Sequence, residues 1–412
     1  MTVRALALIL LVTTATADDS TSAEQALVEV WHTFTVGSID EEIFMQAVAE
    51  FEAANPEIDV EAVRIPYLQN LAQFINSSQG GEAPDLIRLS DTEVGKIGHI
   101  SVEGLPLLED LRPHLTPAQR VGVDAKALQA MRYENALYGM PVSQGALTLI
   151  YNRDLFDAAE VDYPTDTWTT DDLIAAAKAL ASDEVSGIAL PLKWSYWYIP
   201  FQTGFGGAPF DAHGNPTLDS DGSAEALNYF LDLDRRHSIV SSSVGLESMS
   251  TQFQIGNAAM VLDGAWNWNN YVGAGLNIDL ALMPTVAETG LRMRPMSSYF
   301  GWGVSKQSAV KEQAVELALW LASADVQKRF ALQSFIIPAN LELAADPDIR
   351  SNRVISGYLR QAEHGLAVPT NRGTSRVFEQ IDTALELVLK GEMDAHTALR
   401  AADAEMERLM GQ

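Results

Sequence analysis

Between Leu27 and Leu89 the hydrophobic period switches back and forth between two and about 3.6, which constrains the fold more than any other feature. Leu27-Val28-Glu29-Val30-Trp31 reads as a strand. From Asp40 to Ala54, Ile43, Ala47 and Phe51 share one helical face, with Phe44 and Val48 beside it. Asn55-Pro56 ends that helix, and Ile58 to Val63 alternates as a strand does. Leu68 to Ile75 predicts a short helix broken by Gly80-Gly81, and Ala83-Pro84-Asp85 leads into strand Leu86-Ile87. Strands separated by helices imply a mainly parallel sheet covered on both faces. Such sheets take ligands outside the C-terminal ends of their strands, which singles out Phe34, Thr35, Ser90 and Asp91.

The same grammar resumes after Leu137 to Phe156. Tyr138-Gly139-Met140-Pro141 is a turn, Ala146 to Tyr151 a buried strand, and Asn152-Arg153-Asp154 a polar stop. We read this stretch as the first crossing between two α/β lobes. Thr169 to Asp172 caps a helix over Leu173–Ala181, and Ile188 to Leu192 is a strand. Ala224 to Arg236 is helical, and Ala258 to Leu262 is a strand. A second crossing is expected at Leu280–Pro284 and a third near Ile336-Ile337-Pro338. The last third is helical, with Val377, Ile381, Ala384, Leu385 and Val388 on one stripe.

A net charge of -28 without a Lys/Arg-rich run repels a nucleic-acid backbone, so no nucleic-acid partner is expected. Residues 1–17 combine Arg4, the apolar run Ala5–Val12 and the small-residue site Ala15-Thr16-Ala17, a signal peptide cleaved after about Ala17. Cysteine is absent, which removes disulfides, thiolate metal sites and a lipid-modified cysteine, so a periplasmic location is the expectation, and the chain is expected to be a monomer. The seven histidines show no i, i+4 pair, and no nucleophile elbow, zinc motif, P-loop or dinucleotide loop occurs. No cofactor, metal or catalytic residue is therefore expected. A glycosidase needs only two carboxylates across a cleft, for which Asp85, Asp91 and Asp263 are the candidates.

Aromatics crowd the expected strand-end loops: Trp194, Tyr196, Trp197, Trp266 and Trp302, and Tyr299 is a further candidate for the site. A flat aromatic face suits the C–H face of a sugar, and nearby polar side chains suit its hydroxyl rim. In order and spacing, five pieces of the chain resemble the extracellular solute-binding proteins of sugar ABC transporters, the group that includes maltose-binding protein. They are Val30 to Phe34, Ala83 to Leu86, and Gly139 to Val142 leading into Leu149 to Leu155. Gly256 to Met260 leading to Asp263-Gly264-Ala265-Trp266, and Gly301 to Ser305, complete the set. The resemblance implies a two-lobe α/β periplasmic-binding fold of type II, each lobe a mainly parallel sheet flanked by helices, joined by a hinge. Lobe one would be 18–143 plus 286–337, and lobe two 144–285 plus 338–412. It further implies a carbohydrate held between the lobes and delivered to inner-membrane ABC permease subunits. Trp266 matches a family aromatic that stacks on sugar, and Tyr196 falls at another cleft aromatic. Gln144 and Gly145 fall at the hinge, where maltose-binding protein has a ligand-binding carboxylate, and Leu89 stands where that protein has a tryptophan. Arg372 and Arg376 would serve the alternative of a phosphorylated polyol such as glycerol 3-phosphate.

Overall fold

A computed structural model describes residues 25–370 and 373–410. The signal segment and Arg372 lie outside the described residues. Strand β1 (Ala26–His32) lies between β2 (Ile58–Arg64) and β3 (Leu86–Ser90), parallel to both, as the alternation predicts. Helix Ile39–Ala54 starts where the Ser38 side chain accepts the Glu41 N–H, and Asp40, Glu41 and Glu42 favour its positive end. Its buried residues are Ile43, Phe44, Ala47, Val48 and Phe51, the face set by their spacing. The second helix, Tyr67–Gly80, is longer than its apolar period suggests and stops at Gly81, whose φ of 76° is left-handed.

The first sheet continues beyond these parallel strands in the opposite sense. Strand β8 (Met296–Val304) is antiparallel to β3 and to β4 (Met140–Gly145), and the short β9 (Ile337–Pro338) closes the edge against β4. The second sheet has β5 (Thr148–Asn152) at its centre, antiparallel to both β6 (Met260–Asp263) and β7 (Ile278–Ala281). Segment 186–189 lies parallel against β6 through the bridges Ser186–Ala258 and Ala189–Val261. Both sheets are thus mixed, which corrects the expectation of mainly parallel ones. The reversals come from β8 against β3 and β4 and from β9 against β4 in the first sheet, and from β5 against β6 and β7 in the second.

Each sheet carries its own core. Val28, Val30, Phe44, Leu86 and Val304 belong to the first, and Leu149, Ile150, Phe230, Leu262 and Leu385 to the second. Between them, β4 ends at Gly145 in the first sheet and β5 begins at Thr148 in the second. The second crossing does not fall at Pro284. Val286 and Met293 still pack in the second core, and β8 makes the passage. Its start, Met296-Ser297, pairs with β10 (Leu366–Ala367), while Ser298 to Val304 lie in the first sheet. Read from sequence, the Gly301-Trp302-Gly303 stretch looks like a loop. It is a strand interior because added methyls at Gly301 and Gly303 would press the Met140 and Tyr138 carbonyl oxygens, at 2.6 and 2.8 Å. Among the described residues no helix is long and apolar enough to cross a membrane.

Candidate functional site

The site is assembled where the crossings meet. After β6 the chain turns through Gly264 into a 3-10 turn, Ala265–Asn267. Trp266 on that turn is 39% exposed, whereas Trp268 and Tyr271 beyond it are buried. The indole rests on two glycines. A methyl added at Gly264 would lie 2.1 Å from the ring, and one at Gly145, the last residue of β4, 3.3 Å from it. Any larger residue at either position would push the ring off the backbone that supports it. Tyr196 stands beside the indole, ring centroids 6.3 Å apart and tilted by 58°. Its hydroxyl bonds the side chain of Ser298, which pairs with Gly145 across the sheet. Burial raises the Tyr196 phenol, so this hydroxyl stays protonated and can both donate and accept.

Lobe one supplies an acceptor. Asp91 follows β3 directly, its Oδ1 accepts the Thr92 N–H at 2.9 Å, the Tyr299 backbone N–H lies against the same carboxyl, and its Oδ2 makes no hydrogen bond of ordinary geometry. Burial pushes this carboxyl up to about 7. A buried carboxylate oxygen without a well-placed donor is costly, and a ligand hydroxyl would satisfy it. Asp91 lines a cavity of about 340 Å³ that also touches Lys126, Gln129, Tyr299 and the loop Val368–Thr370. An exposed stacking face at Trp266, and separately a cavity lined by Asp91, Lys126, Gln129 and Tyr299, suit a polyhydroxylated ligand. Among the described residues no group of His, Asp or Glu is arranged to hold a metal.

The structure brings Asp91, Gln144, Tyr196, Trp266 and Tyr299 to this region. Gln144 is half-buried and pairs with Tyr299 across β4 and β8. Trp194 is half-buried at the start of helix Ser195–Gly204, and Thr35 is exposed on the loop after β1. Other expected cleft residues sit elsewhere. Trp302 is buried in the core of lobe one and stacks on Phe44 at 5.5 Å. Phe34 is buried between Phe44 and Phe330. Ser90 caps the following helix by bonding Glu93. Trp197 points into lobe two, where its indole N–H donates to the Leu262 carbonyl at 2.7 Å. The aromatic run from Trp194 to Tyr198 is therefore the first turn of a helix, not a loop, and helical spacing sends Trp197 and Tyr198 inward. Arg376 is exposed, and its charge acts on Glu405 near the C-terminus.

The pairing of Asp85 with Asp91 fails on geometry. Asp85 and Asp91 flank β3, about 20 Å apart at roughly 3.3 Å per residue, beyond the span of a glycosidase pair. Asp85 is held by the Glu29 N–H and the Ser308 hydroxyl. Asp263 is fully buried among hydrogen-bond donors. The sequence reading missed Lys126, Gln129 and Ser298. It also missed Arg88, whose guanidinium lies 4.6 Å from the Phe34 ring and 4.5 Å from Phe300 while donating to Thr33. Nothing in the local pattern around these residues distinguishes them from surface or strand positions.

Comparison with known proteins agrees with this architecture. The sequence pattern of a family described as bacterial extracellular solute-binding protein matches residues 37–328. The galactooligosaccharide-binding protein of Bacillus subtilis is 25% identical over 366 residues, 86% of this chain and 84% of that protein. The maltotriose-binding protein of Pyrococcus abyssi is 23% identical over 371 residues, 88% of this chain and 77% of that one. Among solved structures, a maltose/maltodextrin-binding domain from Bdellovibrio bacteriovorus bound to maltotriose superposes with a TM-score of 0.85 at 22% identity. It covers 94% of this chain and 100% of its own.

Proposed function

The chain belongs to the bacterial extracellular solute-binding proteins, and from that premise we propose that it carries a neutral oligosaccharide to an ABC permease without chemically altering it. The observation that carries this reading is the Trp266 indole, exposed and laid over Gly145 and Gly264 where the lobes meet. Asp91 would accept a ligand hydroxyl from lobe one while Trp266 and Tyr196 stack from lobe two. Contacts from both lobes favour a closed form, and only the affinity difference between open and closed forms drives closure. The relatives named for galactooligosaccharide and maltotriose support an oligosaccharide over a phosphorylated polyol.

Lobe one in this reading is 25–143 plus β8 to residue 337, and lobe two the remainder of the described chain. The segment 1–17 directs export to the periplasm. The test uses protein recovered from an exporting host, whose intact mass should correspond to a start at Asp18. Heated with maltotriose, galacto-oligosaccharides or glycerol 3-phosphate, it should melt higher with at least one neutral sugar, because a ligand of the folded state alone raises Tm. The sugar should be recovered intact by chromatography. A larger shift with glycerol 3-phosphate, or release of monosaccharide, would overturn the reading.

A further inference from the structure

Asp263 closes β6 beneath Trp266 and is fully buried. Every neighbour that bonds it is a donor. The Gly264 N–H donates at 2.8 Å and the Asn267 side-chain amide at 2.9 Å. The Tyr271 hydroxyl donates to the same carboxyl oxygen as Asn267, and the Trp266 side chain also bonds this carboxyl. Among the described residues no Lys, Arg or His forms an ion pair with it. The titratable groups facing it are tyrosines: Tyr271 on its own segment, Tyr196 from helix Ser195–Gly204 and Tyr358 from helix Arg353–Glu363.

We propose that Asp263 is a positioning residue, whose ionised carboxylate gathers these donors and so fixes the turn that presents Trp266. This rests on the carbohydrate reading above. A carboxylate accepts all four donors at once. A carboxylic acid carries a proton of its own and must turn it toward one of them, so protonation releases part of the turn. Burial pushes the Asp263 carboxyl up to about 6, which brings that release within reach of ordinary pH. One pH unit below that value about a tenth of the molecules keep the carboxylate, and the apparent Kd for a stacked sugar should rise about tenfold. Asp91 also titrates in the cleft, so the parent alone does not isolate the effect.

The experiment compares the parent with Asp263→Asn, binding maltotriose between about pH 5 and pH 8. The amide mimics the protonated acid, so Asp263→Asn at pH 8 should bind at least about tenfold more weakly than the parent, and the gap between the two should narrow as pH falls toward 5. In ligand-free protein, the fluorescence difference from Trp266→Phe should titrate near pH 6 in the parent and stay flat in Asp263→Asn. Tyr271→Phe, which removes one donor from the carboxylate, should move that midpoint upward and serves if Asp263→Asn does not fold. Equal affinity of parent and Asp263→Asn across the range, or a fluorescence midpoint unmoved by Tyr271→Phe, would overturn the role. Failure of the parent to bind any oligosaccharide would instead overturn the carbohydrate reading, with the ligand-free titration still deciding on Asp263.

Discussion

Trp266→Ala should weaken oligosaccharide binding about thirtyfold and leave the melting temperature of the ligand-free protein nearly unchanged. The ring is partly exposed and rests on the backbone at Gly145 and Gly264, so its removal opens a wet cleft and not a void in the core. Aromatic anchors in binding sites typically contribute about 2 kcal/mol or more, and about 1.4 kcal/mol is tenfold in Kd. Trp302→Ala provides the contrast. That indole is buried against Phe44, and truncating it should cost about 3–5 kcal/mol of stability. Calorimetric titration and thermal unfolding of both variants separate the roles. A Trp266→Ala protein that binds as the parent does, or that loses several kcal/mol without ligand, would show that Trp266 is a packing residue.

Gly187→Ala should destabilise lobe two by about 3 kcal/mol or more, at the upper end of what overpacking usually costs. A methyl there would lie 1.9 Å from the Ala177 carbonyl oxygen and 2.5 Å from its carbonyl carbon. Both are backbone atoms of helix Thr170–Leu180, so relief requires the whole helix to move away from the segment that pairs with β6. Gly273→Ala is the control, because a methyl at Gly273 meets nothing within 4 Å. Urea unfolding should place Gly187→Ala well below Gly273→Ala. Equal midpoints would contradict the close approach of helix and strand.

How legible the molecule was depended on the range of the interaction. The strands and helices up to Leu89 were readable because their faces are set by near neighbours in sequence, as with Ile43, Ala47 and Phe51. The strand Thr148–Asn152 was readable because Ala146 to Tyr151 is an apolar run ended by Asn152-Arg153-Asp154, whereas the turn expected at Tyr138 to Pro141 is in part the start of β4. The second crossing was misplaced because β8 earns its strand character from partners far away, β3 and β4, and its glycines mimic a loop. In the site, Trp266 and Tyr196 were legible through the resemblance of their motifs. Phe34, Trp197 and Trp302 look like cleft residues in the sequence because it sets an aromatic's position along a strand or helix, but not which face is covered. Their burial depends on Phe44, Leu262 and Phe330, which packing brings to them. Asp91 was found from strand topology alone, yet the empty hydrogen-bonding capacity of its Oδ2 could be seen only in three dimensions.

The most direct test is a crystal structure with the oligosaccharide that gives the largest thermal shift. It should show the sugar between the lobes, one ring stacked on Trp266 and a hydroxyl donating to Asp91, within the cavity beside Tyr299. A sugar bound on the outer surface, or one lying between the lobes with no contact to Trp266, would contradict the account.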